Sequence, residues 1–413
     1  MKSFQTKQKE TVWSKTSQLP EGWSLESFSN VVEINSNTLS ANTPDDYSFY
    51  YLSLSDVNSG VINHPVEKIS FKSAPERARR IVNQGDILLS TVRPNLQGFG
   101  YVDFIGDDYV CSTGFAVLRP KKNVVGQYLY QFLYSHQVTQ YFYSCVVGSN
   151  YPAINNNDIE RIPLPLPPID EQKKISQILS TWDRAIERVQ RLIEAKQRQK
   201  DSWVTQLLSG KIRFPGFTDE WEQVKLGTFL HPKFRKVVKP DGAYLRLGIR
   251  SHGKGTFTSV VDDPETIALT HLFQAHKDDL IVNITFAWEG AIAIVGPDGD
   301  GALVSHRFPT YVFDTSKMLP DYFKHLMVTD RFFYELDLIS PGGAGRNRVM
   351  NKGDFLKITV TVPDIEEQKK IAGVLGGMDE QIALLNKYLE KLKVQKKGLM
   401  QKLLTGEIRV KVD

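Results

Sequence analysis

The sequence predicts an α+β protein built by tandem duplication. An α+β globular domain is followed by a long helix, twice over, and the two long helices pair as an antiparallel coiled-coil spacer. Three observations carry this. PPIDEQKKI at 167–175 is answered by PDIEEQKKI at 363–371, an offset of 196 residues. That offset holds without a gap, giving 16 identical pairs in the 43 positions of 171–213 and 367–409. Each copy of the signature opens a proline-free stretch with an apolar mark at alternating steps of four and three.

In chain order, residues 1–19 form a polar N-terminal extension. The start MKSFQTKQKE has no apolar core, which argues against a secretory signal. Residues 20–166 form a first globule. Its runs YSFYYLSLSDV, GDILLSTV, GYVDFI and YVCSTGFAVL alternate in the manner of strands, and one helical stretch follows, VVGQYLYQFLYSHQVTQYFYS. Residues 167–214 form the first spacer helix, with its seam at Ile175, Leu179, Trp182, Ile186, Val189, Ile193, Lys196, Lys200, Trp203 and Leu207. Residues 215–363 form a second globule in the same order: AYLRLGI, DDLIVNIT, GAIAIVG and LVSHRFPTYVF, then a helix near LPDYFKHLMVTDRFFYELD. Residues 364–413 form the second spacer helix, with its seam at Ile371, Leu375, Met378, Ile382, Leu385, Leu389, Leu392, Lys396, Leu399 and Leu403. Pro167, Pro168 and Pro363 precede the helix starts, and Gly210 and Gly406 follow the ends. A stripe this narrow can pack on its own globule or on the other stripe. The order globule–helix–globule–helix favours the second, with a globule at each end of a stiff rod.

Composition excludes several classes. With 41% hydrophobic and 24% charged residues, the 413-residue chain is neither wholly disordered nor collagen-like. No apolar run approaches a membrane span. Cys111 and Cys145 allow one bridge at most, so a reducing cytoplasm is the expected setting and a disulfide scaffold is not.

Catalytic and metal patterns are weak. The run from Gly248 to Thr256, GIRSHGKGT, nearly matches a phosphate-binding loop, but Gly255 stands where the magnesium-binding hydroxyl belongs and no helix follows. The histidines and cysteines show no recognised zinc spacing. No nucleophile-elbow pattern occurs, nor does a methyltransferase cofactor loop. The chain is therefore expected to be non-catalytic, without a cofactor or metal of its own.

The doubled signature, each copy opening a long helix behind a divergent globule, resembles the specificity subunits of type I restriction–modification enzymes. GDILLSTVRPNL (85–96), GSNYPAIN (148–155), ITFAWEGA (284–291), VSHRFP (304–309) and GRNRVMN (345–351) are similar to loop motifs of their target recognition domains. The resemblance implies a DNA-binding, non-catalytic subunit of a phage-defence system. Each globule would read one half of a bipartite double-stranded DNA site, and the helices would set the gap. Two modification subunits, using S-adenosylmethionine, would methylate an adenine in each half. Restriction subunits would bring ATP- and magnesium-dependent translocation and cleavage. The alternative is a coiled-coil protein adaptor without sequence-specific DNA binding.

Guanine is read by Arg or Lys and adenine by Asn or Gln. The candidates in the first globule are therefore Arg93, Asn95, Asn150 and Tyr151, with the basic cluster of Arg77, Arg79 and Arg80 suited to phosphates. In the second they are Arg250, His252, Lys254, Trp288, Arg307, Arg346, Asn347 and Arg348, the last three sharing one loop without nearby acids. The spacer or partner interface is expected at Pro168, Glu171, Gln172, Ile175, Pro363, Glu367, Gln368 and Ile371. Charge adds a constraint. Residues 20–166 carry 10 basic and 14 acidic groups and residues 215–363 carry 17 and 18, so neither globule is basic overall. DNA binding would have to come from local clusters, aided by partners.

Overall fold

The computed structural model describes residues 19–412, apart from 59, 105, 107, 147–151 and 344–347. Two compact units divide the chain. The first holds the described residues up to Gln190 and those from Tyr388 on, and the second holds Arg191–Lys387.

The first unit is closed by its own first and last strands. Ser24–Ser27 pairs antiparallel with Pro163–Leu166. Between them lie two four-stranded sheets. One runs Ile69–Ser70, Ser48–Leu52, Tyr109–Ser112, Ala78–Val82, with a parallel central pair. The other is antiparallel: Val32–Ile34, Phe115–Pro120, Ile87–Ser90, Phe99–Tyr101. Apolar residues from the two sheets, among them Leu52, Val82, Leu88 and Phe115, form one small core. The larger core joins the second sheet to the helices and takes in Phe28, Tyr128, Phe132, Ile175, Leu179 and Leu403.

The second unit repeats this plan with other residues. Glu222–Lys225 pairs antiparallel with Thr359–Val362. A five-stranded sheet runs Lys236–Val238, His271–Gln274, Leu303–Val304, Tyr244–Ile249, Thr256–Val261. A four-stranded antiparallel sheet runs Leu230–Pro232, Thr310–Phe313, Leu280–Val282, Ile292–Ile294. Its main core includes Leu207, Tyr311, Tyr322, Phe323, Phe355, Ile371 and Leu375.

Two local expectations need revision. Each single helix expected at the end of a globule is two helices. Gly126–Leu133 is followed by His136–Cys145, and Pro320–Leu326 by Asp330–Leu338. The break comes from capping: the Ser135 hydroxyl accepts from Val138 N–H and the Thr329 hydroxyl from Phe332 N–H. The cluster ERARR is also largely a strand, Ala78–Val82, with Ala78 and Val82 fully buried.

The long helices are Ile169–Leu207 and Ile365–Leu404. All twenty expected seam positions are buried or half-buried, while most positions between them face solvent. Within the first unit, Ile175 and Leu179 share a core with Met400, Leu403 and Leu404, so the start of one helix meets the end of the other. Within the second, Leu207 shares a core with Ile371 and Leu375. The pairing is therefore antiparallel, and the ends of each seam also pack on a globule. Both alternatives for the stripe hold in part. Polar seam positions are matched as well: Lys396 pairs with Asp183 and Lys200 with Asp379, each at 2.5 Å.

Candidate nucleic-acid interface

In the second unit, three separate sequence motifs converge on the loop of a fourth, 283–290. Strands Tyr244–Ile249 and Thr256–Val261 form a hairpin whose tip holds His252, Gly253 and Gly255 at positive φ. This is why GIRSHGKGT is not a phosphate loop: a strand follows it. His252 N–H donates to Glu289 C=O at 2.7 Å, and the Ser251 hydroxyl donates to the Glu289 carboxylate at 3.0 Å. Arg307 donates to the Thr285 hydroxyl at 3.2 Å. Met350 N–H donates to Ile284 C=O at 2.8 Å.

The candidates in this cluster differ in what they leave available. Lys254 and His252 have exposed side chains, and Lys254 makes no ion pair among the described residues. Arg250 is engaged in its own hairpin, donating to Thr256 C=O at 2.6 Å with its guanidinium 5.0 Å from the Phe257 ring centre. The half-buried Trp288 donates to Thr285 C=O and carries the Arg348 guanidinium 4.9 Å above its ring. Arg348 corrects the expectation of a loop without nearby acids. It donates to the Asp337 carboxylate at 2.6 Å and to Ser340 C=O at 3.0 Å. Such a guanidinium pins the loop base to the preceding helix and has little capacity left for a base. Arg346 and Asn347 lie outside the described residues.

The first unit also brings its loops together. Val92 forms a bridge with Ala153, Arg93 N–H donates to Pro152 C=O at 2.7 Å, and Ile154 N–H donates to Thr91 C=O at 2.9 Å. Loop 91–97 is thereby zipped to the chain that follows the glycine loop. Arg93 is exposed and left-handed, with φ 49°. Asn95 is half-buried, with its carbonyl oxygen turned into the protein. Asn150 and Tyr151 lie outside the described residues. In the basic cluster, Arg77 is exposed, Arg79 lies over the Phe71 ring and Arg80 is half-buried.

The signature residues sit at a joint between each globule and its helix. Glu171 accepts from Trp23 Nε1 at 3.3 Å and from Arg409. Glu367 accepts from Trp221 Nε1 at 3.1 Å and from both ends of the Arg213 guanidinium, at 3.0 and 2.7 Å. These hydrogen bonds hold both guanidinium pKa values above their usual range. Gln172 accepts from Val125 N–H and donates to Asn123 and Pro167 C=O. Gln368 does the same with Leu319 N–H and with Lys317 and Pro363 C=O. Val125 and Leu319 are helix N-caps without a side-chain cap of their own. Each Gln therefore fastens a short helix to the start of a long one.

Glu171, Gln172, Ile175, Pro363, Glu367, Gln368 and Ile371 are all buried, and only Pro168 is exposed. Of the expected spacer or partner interface, seven of the eight residues lie inside the joint between globule and spacer helix and hold their own unit together. Where the first copy has Pro168, the second has Asp364, whose carboxylate caps Glu366 and Glu367 N–H at 2.8 and 2.9 Å.

The type I restriction modification DNA specificity domain family matches residues 20–197 and again 219–394. The chain belongs to this family. The type I restriction enzyme MjaVIII specificity subunit of Methanocaldococcus jannaschii is 26% identical over 416 residues, covering 95% of this chain and 94% of that one. Two solved structures share the fold. The type I restriction–modification S subunit from M. genitalium has 14% identity and a TM-score of 0.57, covering 95% of this chain and 97% of that one. A chain from work on assembly and conformational transition of the type I system has 19% identity and a TM-score of 0.58, covering 95% and 100%.

Some residues that organise the two specificity domains escaped the sequence reading. Arg213 and Arg409 were visible as identical pairs in the repeat, but each bonds the glutamate of the opposite copy, which an offset cannot show. Thr285, Glu289 and Asp337 carried no signal, since each is an ordinary polar residue in sequence. Asp183 and Asp379 each face a residue six places into a short helix. Gln131 donates to Asp183 at 2.6 Å, while His325 Nε2 stands 4.0 Å from Asp379. Burial, with Lys324 and Lys200 adding, pushes His325 down to about 4 against the pull of Asp379. Among the described residues, no group of three or more His, Cys, Asp or Glu could hold a metal ion. Nor is any described helix long and apolar enough to cross a membrane.

Proposed function

We infer that this chain is the DNA sequence-specificity subunit of a type I restriction–modification complex. Each specificity domain reads one half of a bipartite site, and the paired long helices set the gap between halves. The observation that carries this reading is two units with the same joint and different loop clusters, inside a family matched over both copies. Two unlike readers on one frame suit a site whose halves differ in sequence.

In this reading the chain supplies the address, not the chemistry. Modification subunits bring S-adenosylmethionine and methylate an adenine in each half-site. They must extrude the base, because its amino group lies inside the duplex. Restriction subunits bring ATP- and magnesium-driven translocation and cleavage. Contacts to bases come from loops 91–97, 250–255, 284–290 and 305–309. Because neither globule is basic overall, the isolated chain binds DNA weakly and with strong salt sensitivity, and assembly with modification subunits tightens binding. Affinity measured with and without those subunits at one salt concentration tests this. Tighter binding of the assembly to one bipartite sequence is the expected result. Equal affinity for all sequences in both states would favour the adaptor instead.

A further inference from the structure

Within the basic cluster, Arg80 lines a cavity. The cavity holds about 410 Å³ and is lined by Arg80, Thr91, Ile154, Asn155, Asn156 and Asn157. Among the described residues, the Arg80 guanidinium makes no ion pair or side-chain hydrogen bond, and its Nη1 is buried without a partner. Burial lowers its pKa from the usual arginine value. A half-buried guanidinium with one nitrogen sealed from water and no acceptor carries a cost, because that nitrogen loses hydration and nothing replaces it.

The rest of the lining favours an anion as the missing partner. The Asn155 carboxamide oxygen accepts from Asp158 N–H, and the Asn156 oxygen accepts from Asn35. What these two asparagines have left to offer is N–H donors. The Asp158 carboxylate turns back to Asn155 N–H at 3.0 Å and does not line the cavity. Thr91 gives its hydroxyl proton to Gly114 C=O at 2.8 Å. The cavity therefore presents one cation and several donors against few open acceptors. It also adjoins the zipped loops that carry Arg93.

We propose that this cavity is a phosphate site that takes one backbone phosphodiester of the DNA read by the first specificity domain. The proposal rests on the reading of the chain as a DNA-binding subunit. The guanidinium is left unpaired in the free protein and is satisfied only on DNA. Stability and binding therefore oppose each other at this residue, which a merely structural arginine would not show.

The test uses the full chain with Arg80→Met, which keeps the length and removes the charge, and Lys122→Met, at an exposed lysine away from the cavity lining, as control. In the first arm, inorganic phosphate is titrated during thermal melting. Phosphate should raise the midpoint of the natural protein and of Lys122→Met, but not of Arg80→Met. Without phosphate, Arg80→Met should melt at or above the natural protein. In the second arm, DNA affinity of the assembly with modification subunits is followed against salt. Loss of one phosphate contact should lower the slope of log affinity on log salt by about 0.9, with the preferred sequence unchanged. An Arg80→Met chain that melts lower without phosphate makes Arg80 structural and overturns the proposal. Equal phosphate protection of both variants means an adventitious ion only. A phosphate response with an unchanged salt slope assigns the cavity to free anions and overturns the DNA assignment. Should the assembly show no sequence preference at all, the functional reading fails, while the first arm still decides whether the cavity binds phosphate.

Discussion

The two specificity domains keep the same joint and change almost everything that faces outward. Both pin a Trp and an Arg on a buried glutamate, and both fasten a short helix with a buried glutamine. Both also hold an aspartate at the head of a central strand. Asp86 takes Asn83 N–H and the Arg119 guanidinium, while Asp279 takes His276 N–H and the Arg235 guanidinium. The aspartates correspond in sequence but the arginines do not. The need for a partner is thus shared, and it is met by a strand residue, Arg119, in one domain and by a loop residue, Arg235, in the other. Loops that contact nothing of the frame diverged freely.

The joint should give the largest effects. Its two copies differ in exposure: the Arg213 side chain is 22% exposed over a fully buried Glu367, whereas Arg409 is 45% exposed over Glu171. Glu367→Ala should therefore destabilise its unit by about 3 kcal/mol, and Glu171→Ala by about 2 kcal/mol, because a buried acceptor of several donors is lost. Denaturant melts of the two variants check the order. Equal losses would mean that exposure of the arginine does not matter.

The Gln131–His325 difference comes next. His325 titrates near 4 when folded and near 6.5 when unfolded, so between these values the unfolded chain binds more protons. Stability of the second unit is complete above pH 6.5 and falls on acidification towards pH 4, by about 3 kcal/mol. His325→Gln, which copies the first unit, should remove that slope. An unchanged pH profile in the variant would show that another group is responsible.

Smaller effects are expected at the loop base and the seam. Arg348→Ala should cost about 1–2 kcal/mol of stability by unpairing Asp337, in addition to any loss of reading. Lys396→Ala should cost about 1 kcal/mol or less, since Asp183 retains Gln131. Calorimetric scans of both against the natural chain would rank them, and the reverse order would argue that the seam pairs matter more than the loop clamp.

Much of the frame was legible because its signals are periodic or repeated. The seam follows from spacing, and the helix bounds from proline and glycine. The doubled signature was legible as a motif but not as a joint, since its partners are brought in by the fold from distant positions: Arg213 from the end of one copy to Glu367 in the other. The interface was legible only as loops. Three motifs of the second globule do converge on the fourth, loop 283–290, but the sequence could not show that Arg348 is spent on Asp337 or that Asn95 turns inward. Strand Ala78–Val82 was hidden because Arg79 and Arg80 mask its apolar alternation.

The central claim is that each specificity domain reads its own half-site independently on a shared frame. Mapping methylated adenines across a host genome, with the natural gene and with a Lys254→Ala, Arg307→Ala variant of the second unit, tests it directly. The natural gene should give one bipartite motif, and the variant should relax one half of that motif while the other half and the gap stay fixed. Changes in both halves together, or a methylation pattern independent of this gene, would contradict the account.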